Sequence, residues 1–210
     1  NKYLNKMPDF RNKNTINHIM KKSDVLPIGC NLSNSSYSIS DSPIILWNHR
    51  WEYDKNPDLF FKVIGELYDE GIEFNLIVLG QKHHEYPKIF DIAFKKMKDK
   101  IIHFGYCESY DEYIKHIQMS NILPVTSNQD FFGISIVEAV YYGAYPILPR
   151  RLAYPEIFKS EQNPNLFYDK DSELYQKIKK AISTYKELDS YSYLVEKYDW
   201  RHMFEHYDSA

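Results

Sequence analysis

Short, almost wholly apolar runs alternate with amphipathic stretches along most of this chain. Residues 42–48 (Ser-Pro-Ile-Ile-Leu-Trp-Asn), 75–80 (Asn-Leu-Ile-Val-Leu-Gly), 101–105 (Ile-Ile-His-Phe-Gly), 121–126 and 145–148 (Tyr-Pro-Ile-Leu) have the length and continuity of buried strands. A helix is predicted from Asn56 as cap, with Pro57 in its first turn, to about Glu70, and Gly71 lies just beyond its end. A basic helix is predicted from about Tyr86 to Met97, and another from Ser109, which makes a capping box with Glu112, to near Met119. Over residues 135–142, Ile136, Val137, Ala139 and Val140 give the spacing of a short buried helix closed by Gly143. Buried strands separated by helices predict an α/β fold: a Rossmann-like parallel sheet with helices on both faces. Such sheets bind ligands outside the carboxyl ends of their strands, so the loops that follow the strands are where chemistry is expected.

Composition narrows the class without naming a function. With 210 residues, 43% of them apolar and 26% charged, the chain can bury one good core. No apolar run approaches the ~20 residues needed to span a bilayer, and nothing resembles a cleavable signal peptide. The net charge of −3 argues against wholesale coating of nucleic acid but leaves room for a local patch. Only Cys30 and Cys107 are present, so no disulfide framework is expected and a reducing, cytoplasmic setting is. The first residue is Asn rather than Met, which suggests a piece of something longer.

Two loops at the predicted ligand-binding edge carry complementary chemistry. The first, His49-Arg50-Trp51-Glu52-Tyr53-Asp54-Lys55, places two cations shortly before a helix start. Arg can clamp phosphate oxygens with two parallel bonds and Lys supplies a mobile point charge, so together they can neutralise a diphosphate. Pairing with Glu52, Asp54 or Asp58 is the ordinary fate of such loop charges. The second loop, Asp130-Phe-Phe-Gly-Ile-Ser-Ile-Val-Glu138, puts two carboxylates around Gly133 at a helix N-terminus, whose free N–H groups and dipole suit an anion.

In order and spacing, Arg50-x4-Lys55-Asn56, Gly105-Tyr106, residues 126–139, residues 142–147 and Pro155-Glu156-Ile157 resemble the C-terminal domain of retaining GT-B glycosyltransferases of the family-four type. Their hallmark is Glu-x7-Glu, with Asp130 here in the first position. The likeness runs from about Ser23 to the end, where Tyr198-Asp199-Trp200-Arg201-His202-Met203 is similar to that family's Trp-bearing terminal helix. A narrower resemblance, carried by Ile-Leu-Trp-Asn-His-Arg-Trp-Glu-Tyr-Asp-Lys-Asn-Pro (45–57), by Asp-Phe-Phe-Gly-Ile-Ser and by Arg151-Leu-Ala-Tyr-Pro-Glu156, is to the branch of tRNA-queuosine mannosyltransferases.

The resemblance implies a role for each residue. Arg50 and Lys55 would hold the donor diphosphate, with Asn48 and His49 beside them. Glu138 would accept from the ribose hydroxyls and Asp130 from the transferred hexose. The N–H groups of Gly133, Ile134 and Ser135 would face the sugar and distal phosphate, and Gly105 with Tyr106 would flank the nucleobase. The implied donor is GDP-mannose or another NDP-sugar, with no cofactor and no metal, the cations doing what a divalent ion does elsewhere. The implied acceptor is queuosine in tRNA; the alternative is a family-four hexosyltransferase acting on a glycan, lipid or small molecule, and a non-enzymatic reading is a nucleotide-binding regulatory module. Residues 1–22 resemble the last helix of a missing N-terminal Rossmann-like domain, 23–42 the interdomain crossover and linker, and 43–210 the nucleotide-sugar domain with its terminal helix. A chain lacking that first half is expected to bind nucleoside diphosphate weakly and not to turn over.

Other features have plainer explanations. Asp169-Lys170-Asp171 mimics a metal-binding Asp-x-Asp but precedes a helix start, where capping is expected. His83-His84-Glu85 lacks a third convincing ligand nearby, and His202 with His206 is expected to face solvent. The run Lys95-Lys96-Met97-Lys98-Asp99-Lys100 suits a solvated helix end; with Lys2, Lys6, Arg11, Lys13, Lys21 and Lys22 it is the candidate tRNA surface on this chain.

Overall fold

The computed structural model describes residues 14–32 and 40–209. Six strands form one sheet: β1 (Ile44–Asn48), β2 (Asn75–Leu79), β3 (Ile101–Gly105), β4 (Ile122–Pro124), β5 (Tyr145–Pro149) and β6 (Phe167–Tyr168). The helices are α1 (Asn14–Met20), α2 (Pro57–Asp69), α3 (Ile89–Lys96), α4 (Tyr110–Met119), α5 (Ile134–Tyr141), α6 (Tyr154–Ile157), α7 (Asp171–Ser183) and α8 (Trp200–Asp208). The strand order is β3-β2-β1-β4-β5-β6, and every pairing is parallel. The order reverses between β1 and β4, so the loops leaving these two strands diverge and open a crevice at that point.

Alternate residues of each strand feed two cores. Ile44, Leu46, Ile77, Leu79 and Leu123 pack with Ile114 and Ile117 of α4, with Ile136, Val137 and Val140 of α5, and with Leu194, Val195 and Tyr198. On the other face Ile45, Trp47, Leu76, Val78 and Ile147 pack with Phe60, Phe61 and Ile64 of α2, Phe90 of α3, and Leu174 and Ile178 of α7. Five β1 residues are buried, which is why the strand reads as continuously apolar rather than alternating.

Most predicted elements are present, with local corrections. The second helix begins at Ile89 rather than near Tyr86. Pro87 disfavours helical backbone at the residue before it, and the Tyr86 hydroxyl instead donates to Asp91 at 2.7 Å. Ser109 caps α4 by accepting from the Glu112 N–H at 3.1 Å, but Glu112 reciprocates to the N–H of Glu108, one residue earlier than a capping box requires. Lys170, not an Asp, occupies the N-cap of α7; Asp169 instead accepts from Arg150 at 3.0 Å, and Asp171 lies in the first turn, where the helix dipole favours a carboxylate. His202 and His206 are exposed.

The segment around residue 30 is tied to the terminal helix. Cys30 donates its N–H to the Tyr198 carbonyl and accepts from Trp200 N–H at 2.9 Å, making a parallel bridge, and Tyr207 donates its hydroxyl to Pro27 O at 3.0 Å. Of the expected N-terminal segment, Asn14–Met20 is helical, while residues 1–13 and 33–39 lie outside the described residues.

Candidate active site

The crevice at the strand reversal is a cavity of about 590 Å³, within the size range of small-molecule sites. Its wall includes Asn48, His49, Arg50, Lys55, Tyr106, Asp130, Gly133, Ile134 and Ser135, nine of the residues that the sequence singles out. Gly105 and Glu138, the other two, do not line it; Glu138 hydrogen-bonds to the lining residues Tyr110 and Tyr113, and Gly105 precedes the lining residue Tyr106.

β1 delivers the first of these groups. Trp47 is fully buried, set against Phe60, Phe61 and Phe90, and fixes the end of the strand. Asn48 then uses its amide to donate to Ser135 O at 2.8 Å and to the Tyr113 hydroxyl at 3.0 Å, joining β1, α4 and the start of α5. His49 is buried, its ring edge-on to Trp47, and its Nε2 has no hydrogen-bond partner. Burial, with the Lys55 ammonium adding to it, pushes its pKa from 6.5 down to about 3, so the ring is neutral at physiological pH. The unfolded chain therefore binds a proton that the folded chain refuses. Stability falls as pH drops below 6.5 and the loss levels off near 3. At pH 4 this one residue is expected to cost about 3 kcal/mol. Urea melts of the native chain and of His49→Gln between pH 7 and pH 4 check this: the variant should lose less stability over that range, and parallel curves would remove His49 from the account.

The two cations behave differently. Arg50 is exposed and pairs with Glu52 at 3.1 Å, in the manner of an ordinary loop charge. Lys55 has only 9% of its side chain exposed; its ammonium donates to Gln129 O at 2.7 Å and lies 3.2 Å from Asp54 and 3.6 Å from Asp130. One buried ammonium therefore links the β1 loop to the acidic loop. Thr126 strengthens the same junction by donating its hydroxyl to Lys55 O at 2.8 Å, and Arg151 holds the acidic loop by donating to Ser127 O and Thr126 O.

Gly133 is the N-cap of α5 with φ 85°, and α5 points its N-terminus into the cavity wall through Ile134 and Ser135. Asp130 accepts from the Tyr154 hydroxyl at 3.1 Å as well as facing Lys55. Glu138 is largely withdrawn: it accepts from Tyr113 at 2.7 Å and from Tyr110 at 3.3 Å. Burial raises its pKa, and those two hydroxyls counter part of the rise. The tyrosines, rather than the carboxylate, form the wall there.

Tyr110, Tyr113 and Tyr154 are thus site residues that sequence reasoning missed. The i, i+3 spacing of Tyr110 and Tyr113 on one helix face was available, but their convergence on Glu138 depends on α4 lying beside α5. Tyr106, expected beside the nucleobase, is exposed at the cavity rim. Elsewhere, His83 lies 3.7 Å from Glu52. Of the basic run, Lys96 pairs with Asp69 at 2.6 Å and Lys100 with Glu73 at 2.7 Å, leaving Lys95 and Lys98 among its exposed residues.

The sequence model of the family described as glycosyl transferases group 1 matches residues 31–197, and the chain belongs to that family. A Drosophila melanogaster protein named tRNA-queuosine alpha-mannosyltransferase is 33% identical over 171 residues, 76% of this chain and 45% of that protein. The chain therefore spans less than half the length of that relative. Sucrose-phosphate synthase from Thermosynechococcus elongatus matches with a TM-score of 0.70 at 15% identity, over 88% of this chain and 50% of that one. The C-terminal domain of a glycosyl transferase group 1 family protein from Francisella tularensis matches with a TM-score of 0.61 at 19% identity, over 77% of this chain and 88% of that one. At such identities the solved structures bear on the fold alone, and that fold is the Rossmann-like α/β fold of GT-B glycosyltransferases. No helix among the described residues is long and apolar enough to cross a membrane.

Proposed function

We propose that the chain is the donor-binding half of a hexosyltransferase that takes mannose from GDP-mannose and delivers it to queuosine in tRNA. The observation that carries the proposal is the buried Lys55, set between Asp54 and Asp130 in the wall of the cavity that α5 enters by its N-terminus. A nucleoside diphosphate is the leaving group of such a transfer, and its charge grows as the glycosidic bond breaks. A desolvated ammonium and a helix N-terminus aimed there stabilise the transition state more than the ground state. Arg50, exposed at the rim, reaches the outer phosphate, and Asp130 takes hexose hydroxyls when the diphosphate draws Lys55 from it. Glu138 with its two tyrosines contributes the polar wall for the ribose. These cations serve in place of a metal at the phosphates.

The choice of mannose, queuosine and tRNA rests on the relative's name together with the 45–57 segment, and is tested with the whole protein. Incubation with GDP-mannose and tRNA, followed by mass spectrometry of the nucleosides, is expected to show queuosine gaining one hexose. Transfer from UDP-glucose to a glycan or lipid, with queuosine unchanged, would replace this acceptor and donor by the alternative within the same family.

A further inference from the structure

Beyond the donor site, β3, the loop after it and α4 bring together four side chains with the chemistry of a metal centre. We propose that His103, Cys107, Glu112 and His116 form a structural site for a transition-metal ion, zinc(II) by preference, that pins the β3–α4 loop at the rim of the cavity. One ligand atom from each lies within 4.8 Å of the others, and among the described residues this is the only such group of three or more. The Cys107 Sγ is 3.8 Å from His103 Nε2, the two imidazole centroids are 4.3 Å apart, and His116 Nε2 is 3.8 Å from Glu112 Oε1. Bonds of about 2.0–2.3 Å to one ion require separations a little shorter than these, within reach of rotamer adjustments.

Further observations bear on the site. The donor set is soft and borderline, thiolate, two imidazoles and one carboxylate, which selects zinc over magnesium or calcium. Glu112 and His116 are i, i+4 on one face of α4, so the helix fixes half of the site in advance. His116 Nδ1 is buried without a hydrogen-bond partner, a ring nitrogen whose desolvation a metal or its outer shell would offset. Glu112 already divides its oxygens: Oε2 accepts from Glu108 N–H at 3.0 Å, leaving Oε1 toward the cluster. His103 Nε2 also lies 3.3 Å from Gly105 O, a contact it would exchange for the ion, since a metal-bound ring nitrogen has no proton to donate.

The consequence lies in what the loop carries. Tyr106, Glu108 and Ser109 line the cavity beside Cys107, and α4 supplies the Tyr110 and Tyr113 hydroxyls that hold Glu138. An ion bridging β3 to α4 would fix all of them. Four protein ligands close its coordination, so it is structural and does not replace Lys55. Metal binding releases the thiol proton as the Cys107 sulfur takes the ion.

The test is a Co²⁺ titration of the chelator-treated chain followed by absorption. The expected result is one equivalent bound with a thiolate-to-cobalt charge-transfer band, bleached by one equivalent of Zn²⁺, and a Tm raised by roughly 5 °C with Zn²⁺. Cys107→Ser should abolish the band and His116→Ala should weaken Co²⁺ at least about tenfold, while Cys30→Ala, which removes the other thiol, keeps it. A native chain that shows no band and no Zn²⁺-dependent Tm overturns the proposal whatever the variants do. So does a band that survives Cys107→Ser.

Discussion

Lys55→Ala is expected to lower affinity for GDP-mannose by about 100-fold, the effect of removing a desolvated charge from a charged partner. The loss is larger than a single contact would give. Without the ammonium, Asp54 and Asp130 are left facing the incoming diphosphate, so an attraction becomes a repulsion. Arg50→Ala is the internal comparison: Arg50 is exposed and already paired with Glu52, so its removal should cost only about tenfold. Calorimetric titration of the two variants checks the ranking. Equal losses would mean that the burial of Lys55 has no part in donor binding, and circular dichroism separates a binding effect from unfolding.

Gly80→Ala is expected to be the most damaging small substitution near the site. A Cβ at Gly80 would stand 2.0 Å from His49 O and 3.0 Å from Trp51 Cδ1, and the residue sits at φ 131°, where other side chains are strained. The His49 carbonyl it would strike accepts from Trp47 Nε1 at 3.0 Å, so the clash moves the end of β1 and the cavity wall with it. A loss of about 3 kcal/mol and a Tm drop of about 6–12 °C are expected. Gly105→Ala shares the backbone strain, φ 133°, but its Cβ meets nothing within 4 Å. It should melt well above Gly80→Ala, and coincident melts would show that backbone strain alone sets the cost.

Five strands and the two loops at their carboxyl edge are legible in the sequence; four of them leave the apolar run of a buried strand, while β3, expected to be buried, lies at the sheet edge half-buried with Ile102 exposed. The sixth, Phe167–Tyr168, is two residues long and carries no periodicity to read. The cations and the acidic loop could be placed at one edge from the alternation alone, since every parallel strand ends there. Their relation could not. The burial of Lys55 depends on β4 lying beside β1, a pairing of strands more than seventy residues apart. Glu138 was legible as a carboxylate in a helix, but its capture by Tyr110 and Tyr113 depends on how α4 packs against α5. The same non-local packing hides the His103–His116 cluster, whose ligands are scattered over a strand, a loop and a helix.

The central claim is that the crevice between β1 and β4 binds a nucleoside-diphosphate sugar, and calorimetric titration of this chain with GDP-mannose, UDP-glucose, GDP and free mannose tests it most directly. The account predicts one saturable site for GDP-mannose and for GDP, weak enough to lie on the order of 0.1–1 mM, with weaker heat from UDP-glucose and none from mannose. Binding should weaken as salt rises, because Lys55 and Arg50 recognise the diphosphate. No saturable heat with any of the nucleotides would contradict it.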